Sequence, residues 1–180
     1  MPRYVALFRG INVGKAKRIA MADLRALFEE LGYTDVKTLL NSGNAVFSAR
    51  AGSAEKMAAR IRGAVATRLG VDAVVVVKSD QDIAAMIAGN NFGKTASDAS
   101  RLLVAMCNGD QALGAVAPLG RKDWGRERVH VGKHAAYIWC ADGILESAAL
   151  GALMKGLGAG GTTRNWATLG KIHALMTGGS

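Results

Sequence analysis

The stretch Phe8–Ile19, FRGINVGKAKRI, sets Arg9, Lys15, Lys17 and Arg18 beside Asn12, Gly10 and Gly14, with no carboxylate among them. Glycines let the backbone turn sharply, and cations beside the exposed N–H groups of a helix start favour a phosphate or carboxylate. The letters approach the phosphate-binding pattern GxxxxGK[ST]. Gly10 and Gly14 enclose only three residues, however, and Ala16 follows the lysine where a magnesium-binding hydroxyl is required. A second near-match, Gly156-x-Gly158-x-x-Gly161, has the letters of a dinucleotide fingerprint. It follows a helical pattern rather than a strand, and no acid stands some twenty residues on. Both nucleotide motifs fail on mechanism, and a general anion-binding loop remains.

The glycines of the second stretch feed Thr162 and Thr163, either of which is expected to cap a last helix as an anion nest. In that helix Arg164, Thr168 and Lys171 fall at i, i+4 and i+7 on one face, with Trp166, Leu169 and Met176 roughly opposite. A third polar cluster, Asn41-Ser42-Gly43-Asn44, offers a hydroxyl and amides at a hairpin turn. All three stretches lie at element ends, and we expect them to meet as one cleft.

Equipment for catalysis is sparse. No carboxylate pair sits beside these loops, which removes glycosidase-like acid/base work. His130, His134 and His173 lack metal-ligand spacing and a legible triad partner, so no metal site is expected. Cys107 and Cys140 have no CxxC spacing and read as small buried residues. For nucleic acid, residues 120–133 carry five Lys/Arg against two acids around Trp124. Tyr4 and Phe8 share one strand face, and Tyr137 and Trp139 another; RNA-binding sheets stack bases on such aromatics. The RNP signature is absent, and aromatics on half-buried strands are ordinarily core.

At 180 residues the chain fits one large domain or two small ones, and half its residues are hydrophobic. The net charge of +9 is uneven, with 13 Lys/Arg against 6 Asp/Glu in residues 1–79 and 10 against 8 in residues 80–180. A basic excess favours acidic partners. Arg3 and Arg9 flank only five uncharged residues, too few for a signal-peptide core, and no run reaches a membrane span. A cytoplasmic protein without a membrane partner is expected.

The elements that must position these residues follow from periodicity. Arg3–Phe8 reads as a strand, and Met21, Leu24, Leu27, Phe28 and Leu31 as a helix ended by Gly32. Residues 36–40 and 45–48 read as a hairpin, and a helix capped by Ser53 buries Met57, Ile61, Val65 and Leu69 before Gly70. Residues 73–77 read as a strand, completing a βαββαβ unit. A short helix over 80–88 and a polar Gly/Asn/Ser linker over 89–100 come next. The order then nearly repeats: strand 102–107, helix 110–116, hairpin 128–131 and 134–140 across Gly132-Lys133, and helix 145–155. No clear last strand precedes the final helix.

RGINVG at 9–14, NSGNAVF at 41–47 and TTRNWATLGKI at 162–172, with the YVALFRG lead-in and the MADLRALFEELGY helix, resemble the domain of unknown function 1697 family. The resemblance covers nearly the whole chain. It implies an α+β protein of two ferredoxin-like halves with no established activity, and it marks Arg9, Asn12, Gly14, Ser42, Gly43, Asn44, Thr163, Arg164, Asn165 and Trp166. The chain departs from the pattern at Lys15-Ala16-Lys17, where a further glycine and a basic-Asn pair are common, and at Ala167, where Asn is common.

The expectation is therefore an α+β chain with ferredoxin-like halves at residues 1–88 and 101–180, joined by 89–100. Its expected function is to bind a small phosphate- or carboxylate-bearing ligand, nucleotides included. Arg9, Lys15 and Arg164 neutralise charge, while Asn12, Ser42, Asn44 and Asn165 orient the ligand and Gly14, Gly43 and Thr163 shape the loops. The alternatives are a nucleic-acid-binding module using the basic first half and an enzyme acting on a phosphorylated or carboxylated metabolite.

Overall fold

Two four-stranded antiparallel sheets with the same strand order carry the chain. The computed structural model describes residues 1–41 and 43–178, the side chain of Lys94 aside. The first run of elements is β1 (Arg3–Phe8), α1 (Met21–Glu30), β2 (Thr34–Leu39), β3 (Asn44–Ser48), α2 (Ala54–Leu69) and β4 (Val75–Ser79), with the sheet order β2-β3-β1-β4. After α3 (Asp80–Ala88) the order recurs as β5 (Leu102–Cys107), α4 (Ala112–Val116), β6 (Arg128–Val131), β7 (Ala136–Trp139), α5 (Ala148–Leu157) and β8 (Gly161–Asn165). Its sheet runs β6-β7-β5-β8, and α6 (Trp166–Met176) closes the chain. Each half is a ferredoxin-like βαββαβ unit, and the class is α+β. By its contacts the chain divides into Met1–Gln81 with the segment from Ile172 onward, and Asp82–Lys171. Among the described residues no helix is long and apolar enough to cross a membrane.

The first unit shows why the pattern folds. Tyr4, Ala6 and Phe8 alternate onto one face of β1, where they meet Leu24, Leu27 and Phe28 of α1 and Ala58, Ile61 and Val65 of α2. Phe47 of β3 joins the ring cluster, its centroid 5.3 Å from Phe28 and 4.5 Å from Tyr33. Val5 and Leu7, on the opposite face, are equally buried, so β1 reads as a continuous apolar run. Ser53 caps α2 by accepting from the Lys56 N–H at 3.2 Å, and Gly70 ends it at φ 69°. In the second unit Leu103, Ala105 and Cys107 of β5 pack with Leu113 and Val116 of α4 and Ala149, Leu153 and Leu157 of α5.

Several expected boundaries move. β4 runs to Ser79 because Lys78, although charged, stays buried and pairs with Val5. β2 starts at Thr34, with a register irregularity before Lys37 and Asp35 at φ 49°. α5 starts at Ala148, since Ser147 is the cap, accepting from the Leu150 N–H at 3.0 Å, while Leu145 stays in solvent. The β6–β7 turn closes through Gly132 N–H to the Ala135 carbonyl at 2.8 Å, so β7 begins at Ala136. The largest difference is β8. GTTRN has no apolar residue to announce a strand, yet Gly161 through Asn165 pair with Cys107 through Leu103. Edge pairing supplies what composition lacks.

Candidate functional site

In the first unit, β1 ends at Phe8 and hands the chain to the basic loop. Arg9 N–H bonds the Val74 carbonyl at 3.0 Å, and Ile11 is fully buried, pinning the loop to the core. Asn12 then ties its base. Its Nδ2 donates to the carbonyls of Ile19 at 2.9 Å and Asn41 at 2.8 Å, and its Oδ1 accepts from the Ile19 N–H at 2.8 Å. Its own N–H bonds the Lys17 carbonyl at 2.9 Å. Arg18 reaches back inside the loop, donating to the carbonyls of Asn12 and Gly14 at 3.3 Å each. The backbone is left-handed at Asn12 (φ 55°), Gly14 (φ 66°) and Lys17 (φ 53°), a conformation that glycine and asparagine adopt readily and lysine rarely. Lys15 and Lys17 project into solvent from this braced frame. The electrostatic neighbour is Asp72, whose carboxyl is held below its ordinary range by its hydrogen bonds to Arg62, at 2.7 and 3.1 Å, with Lys17 adding to the effect.

The hairpin stretch meets this loop. Besides the Asn12–Asn41 bond, Phe8 N–H donates to the Gly43 carbonyl at 2.9 Å. Gly43 sits at φ 98°, and a Cβ there would stand 2.7 Å from both Phe8 Cβ and Ile11 Cδ1. Only glycine fits so close an approach. Asn44 is fully buried, its Nδ2 donating to the Leu39 carbonyl at 2.8 Å inside the hairpin. Ser42 lies outside the described residues. Two of the three motif stretches thus share one frame.

The third belongs to the second unit and has a different local form. Thr163 and Arg164 lie in β8 rather than in a helix, so Arg164, Thr168 and Lys171 do not share a helical face. Asn165, not Thr162 or Thr163, caps α6, its Oδ1 accepting from the Thr168 N–H at 2.8 Å. The sheet claims the threonines because their β-branched side chains suit a strand. Arg164 donates to Thr162 Oγ1 at 3.0 Å and to the Thr163 carbonyl at 2.7 Å. Burial draws its guanidinium down to about 10, still protonated at neutral pH. Within the glycine run, a Cβ on Gly156 would stand 2.5 Å from Val116 Cγ1, so that glycine serves the approach of α4 and α5.

Of the aromatic candidates for base stacking, Trp124 and Trp139 are half-buried and the others lie inside the fold. Tyr4, Phe8 and Tyr137 are buried, and the Tyr137 hydroxyl donates to the Met86 carbonyl in α3. Trp124 donates its indole N–H to the Leu119 carbonyl at 2.9 Å and is faced by Lys122 Nζ at 4.5 Å from the ring centroid. One pairing escaped the sequence: His134 Nδ1 lies 2.7 Å from Asp110 Oδ2, both about one-third exposed. The partners are 24 residues apart in two different loops, and no spacing rule connects them. A carboxylate so placed orients an imidazole.

Comparisons with known proteins come to this. A model of the family described as "Protein of unknown function (DUF1697)" matches residues 1–137. No curated protein matches. Among solved structures, the conserved bacterial protein SP0830 from Streptococcus pneumoniae is similar, at 22% identity over 97% of this chain and 98% of that one, with a TM-score of 0.75. At that identity the likeness is one of fold.

Proposed function

Because this chain belongs to the DUF1697 family, whose description names no activity, we propose from its own geometry that it binds a small phosphate- or carboxylate-bearing ligand at the loop after β1. The observation that carries the reading is the bracing itself. The Asn12 side chain commits both amide hydrogens and its oxygen to the loop's base at Ile19 and Asn41, and Lys17, whose carbonyl accepts from the Asn12 N–H, holds a left-handed backbone that lysine rarely adopts. Strain of this kind persists at sites where a fixed backbone is useful. A fixed cationic loop binds without first losing loop entropy, which raises affinity for a given set of contacts. Lys15 and Lys17 supply the charge, Arg9 adds to it from the loop's entry, and the backbone at Gly14 lets an anion approach. Asn12, Gly43 and Asn44 build the loop rather than touch the ligand. Arg164 and Asn165 hold β8 and the start of α6 in the other unit.

Isothermal titration with inorganic phosphate and with a nucleoside diphosphate tests the reading. The expected result is saturable binding at physiological salt, weakened roughly tenfold by Lys15→Gln and again by Lys17→Gln, as for charge-assisted hydrogen bonds of about 1.5 kcal/mol each. Absence of binding by both ligands overturns it. Labelled single-stranded DNA run alongside separates the nucleic-acid alternative, which demands a steep loss of affinity with salt.

A further inference from the structure

We propose a second, separate site in the first unit: a cavity at the start of α2 that takes an organic anion with an aromatic body. Its volume is about 550 Å³, within the usual range of small-molecule pockets. Three local features make it. The turn after α1, with Gly32 at φ 90°, presents Leu31 and Tyr33. The loop after β3 brings Arg50, and it is anchored by the Gly52 N–H donating to the Tyr4 hydroxyl at 3.3 Å. On α2, Ser53, Lys56, Met57 and Arg60 stand at i, i+3, i+4 and i+7, which puts them on one face.

Charge and polarity are separated within this cavity. Leu31, Tyr33 and Met57 give an apolar wall, with Tyr33 almost wholly buried behind it. Arg50, Lys56 and Arg60 give exposed cations, and among the described residues no Asp or Glu lines the cavity. Nor does any of the three cations form a salt bridge among those residues. The Arg60 guanidinium stands 5.6 Å over the Tyr33 ring, held by the ring face rather than by a counter-charge. Glu55 follows the other side of α2 and is not part of the lining. Unpaired cations at the rim complement a carboxylate, sulfonate or phosphate. A thioether and a phenol ring behind them favour an aromatic body over a bare inorganic ion. This site shares no residue with the basic loop and stands independently of the function proposed for it.

The test is a fluorescence titration of the full chain with 8-anilino-1-naphthalenesulfonate, an anion on an aromatic frame, with N-phenyl-1-naphthylamine as the uncharged analogue. One saturable site is expected, at least tenfold weaker for the uncharged dye. The double variant Lys56→Gln/Arg60→Gln should weaken the sulfonate at least tenfold, circular dichroism establishing that the variant is folded. Lys15→Gln/Lys17→Gln should leave the affinity unchanged, and 1-naphthoate should displace the dye where inorganic phosphate does not. The proposal is overturned by any of four results: no saturable binding, equal affinity for the two dyes, an unaffected Lys56→Gln/Arg60→Gln variant, or displacement by phosphate as effective as by naphthoate.

Discussion

Asn12 commits three groups of one amide to the base of the basic loop and does so from a left-handed backbone. Asn12→Ala is expected to lose about 2–3 kcal/mol of stability in urea unfolding, at about 1 kcal/mol per bond. Asn12→Asp keeps the acceptor for the Ile19 N–H but sets a carboxylate oxygen against the Ile19 and Asn41 carbonyls, and should lose at least as much. Gly43→Ala meets both a positive φ and two atoms at 2.7 Å, so a destabilisation above about 2 kcal/mol is expected by the same measurement. Tyr137 tests the second unit. Burial pushes its phenol from 10 up to about 12, and its hydroxyl donates to the Met86 carbonyl. The unfolded chain therefore gives up this proton at lower pH than the folded one. Its stabilising contribution is complete below pH 10 and is lost as the pH rises through 12. Tyr137→Phe should cost about 1 kcal/mol at pH 8, and its deficit relative to the parent protein should shrink at pH 11.

Among the elements, β8 and α6 share a junction at Asn165, which pairs with Leu103 and then caps the helix. Asn165→Ala should cost about 1 kcal/mol, whereas Asn165→Asp retains a capping oxygen and should cost less in thermal unfolding. Thr163→Ala leaves the cap intact, and a helix start at Thr163 would have required the reverse ranking. The αβ and βα junctions elsewhere follow local chemistry: Ser53 and Ser147 cap α2 and α5, and Gly70 turns left-handed after α2. Ser147 is also tied to Glu127, whose carboxylate accepts from its hydroxyl and, at 3.3 Å, from the Ala149 N–H. That long-range anchor sits at the observed start of α5, three residues after the apolar pattern suggested a helix.

For the molecule as a whole, the two thiols give a selective reporter. Cys107 and Cys140 both lie in the core beneath α4 and α5, and burial raises the Cys140 thiol. Neither should react with a water-soluble disulfide reagent in the folded protein, and both should react after denaturation. Labelling in sub-denaturing urea then reports opening of the second unit alone, because the first unit has no cysteine.

The sequence by itself determined most of the elements and the class. Apolar runs buried on both faces, helical stripes, Ser53 and Gly70 act within a few residues, so their signals survive without tertiary information. It also located the basic loop, because cations and glycines are concentrated there. Tertiary structure alone decided three things. GTTRN became a strand because β5 offered an edge to pair with, and Asn12 proved a brace because Ile19 and Asn41 carbonyls come within its reach. Asp110 was joined to His134 because two loops 24 residues apart meet. Local sequence records the preferences of neighbours in the chain; the partners of a side chain depend on which distant segments the hydrophobic core draws together.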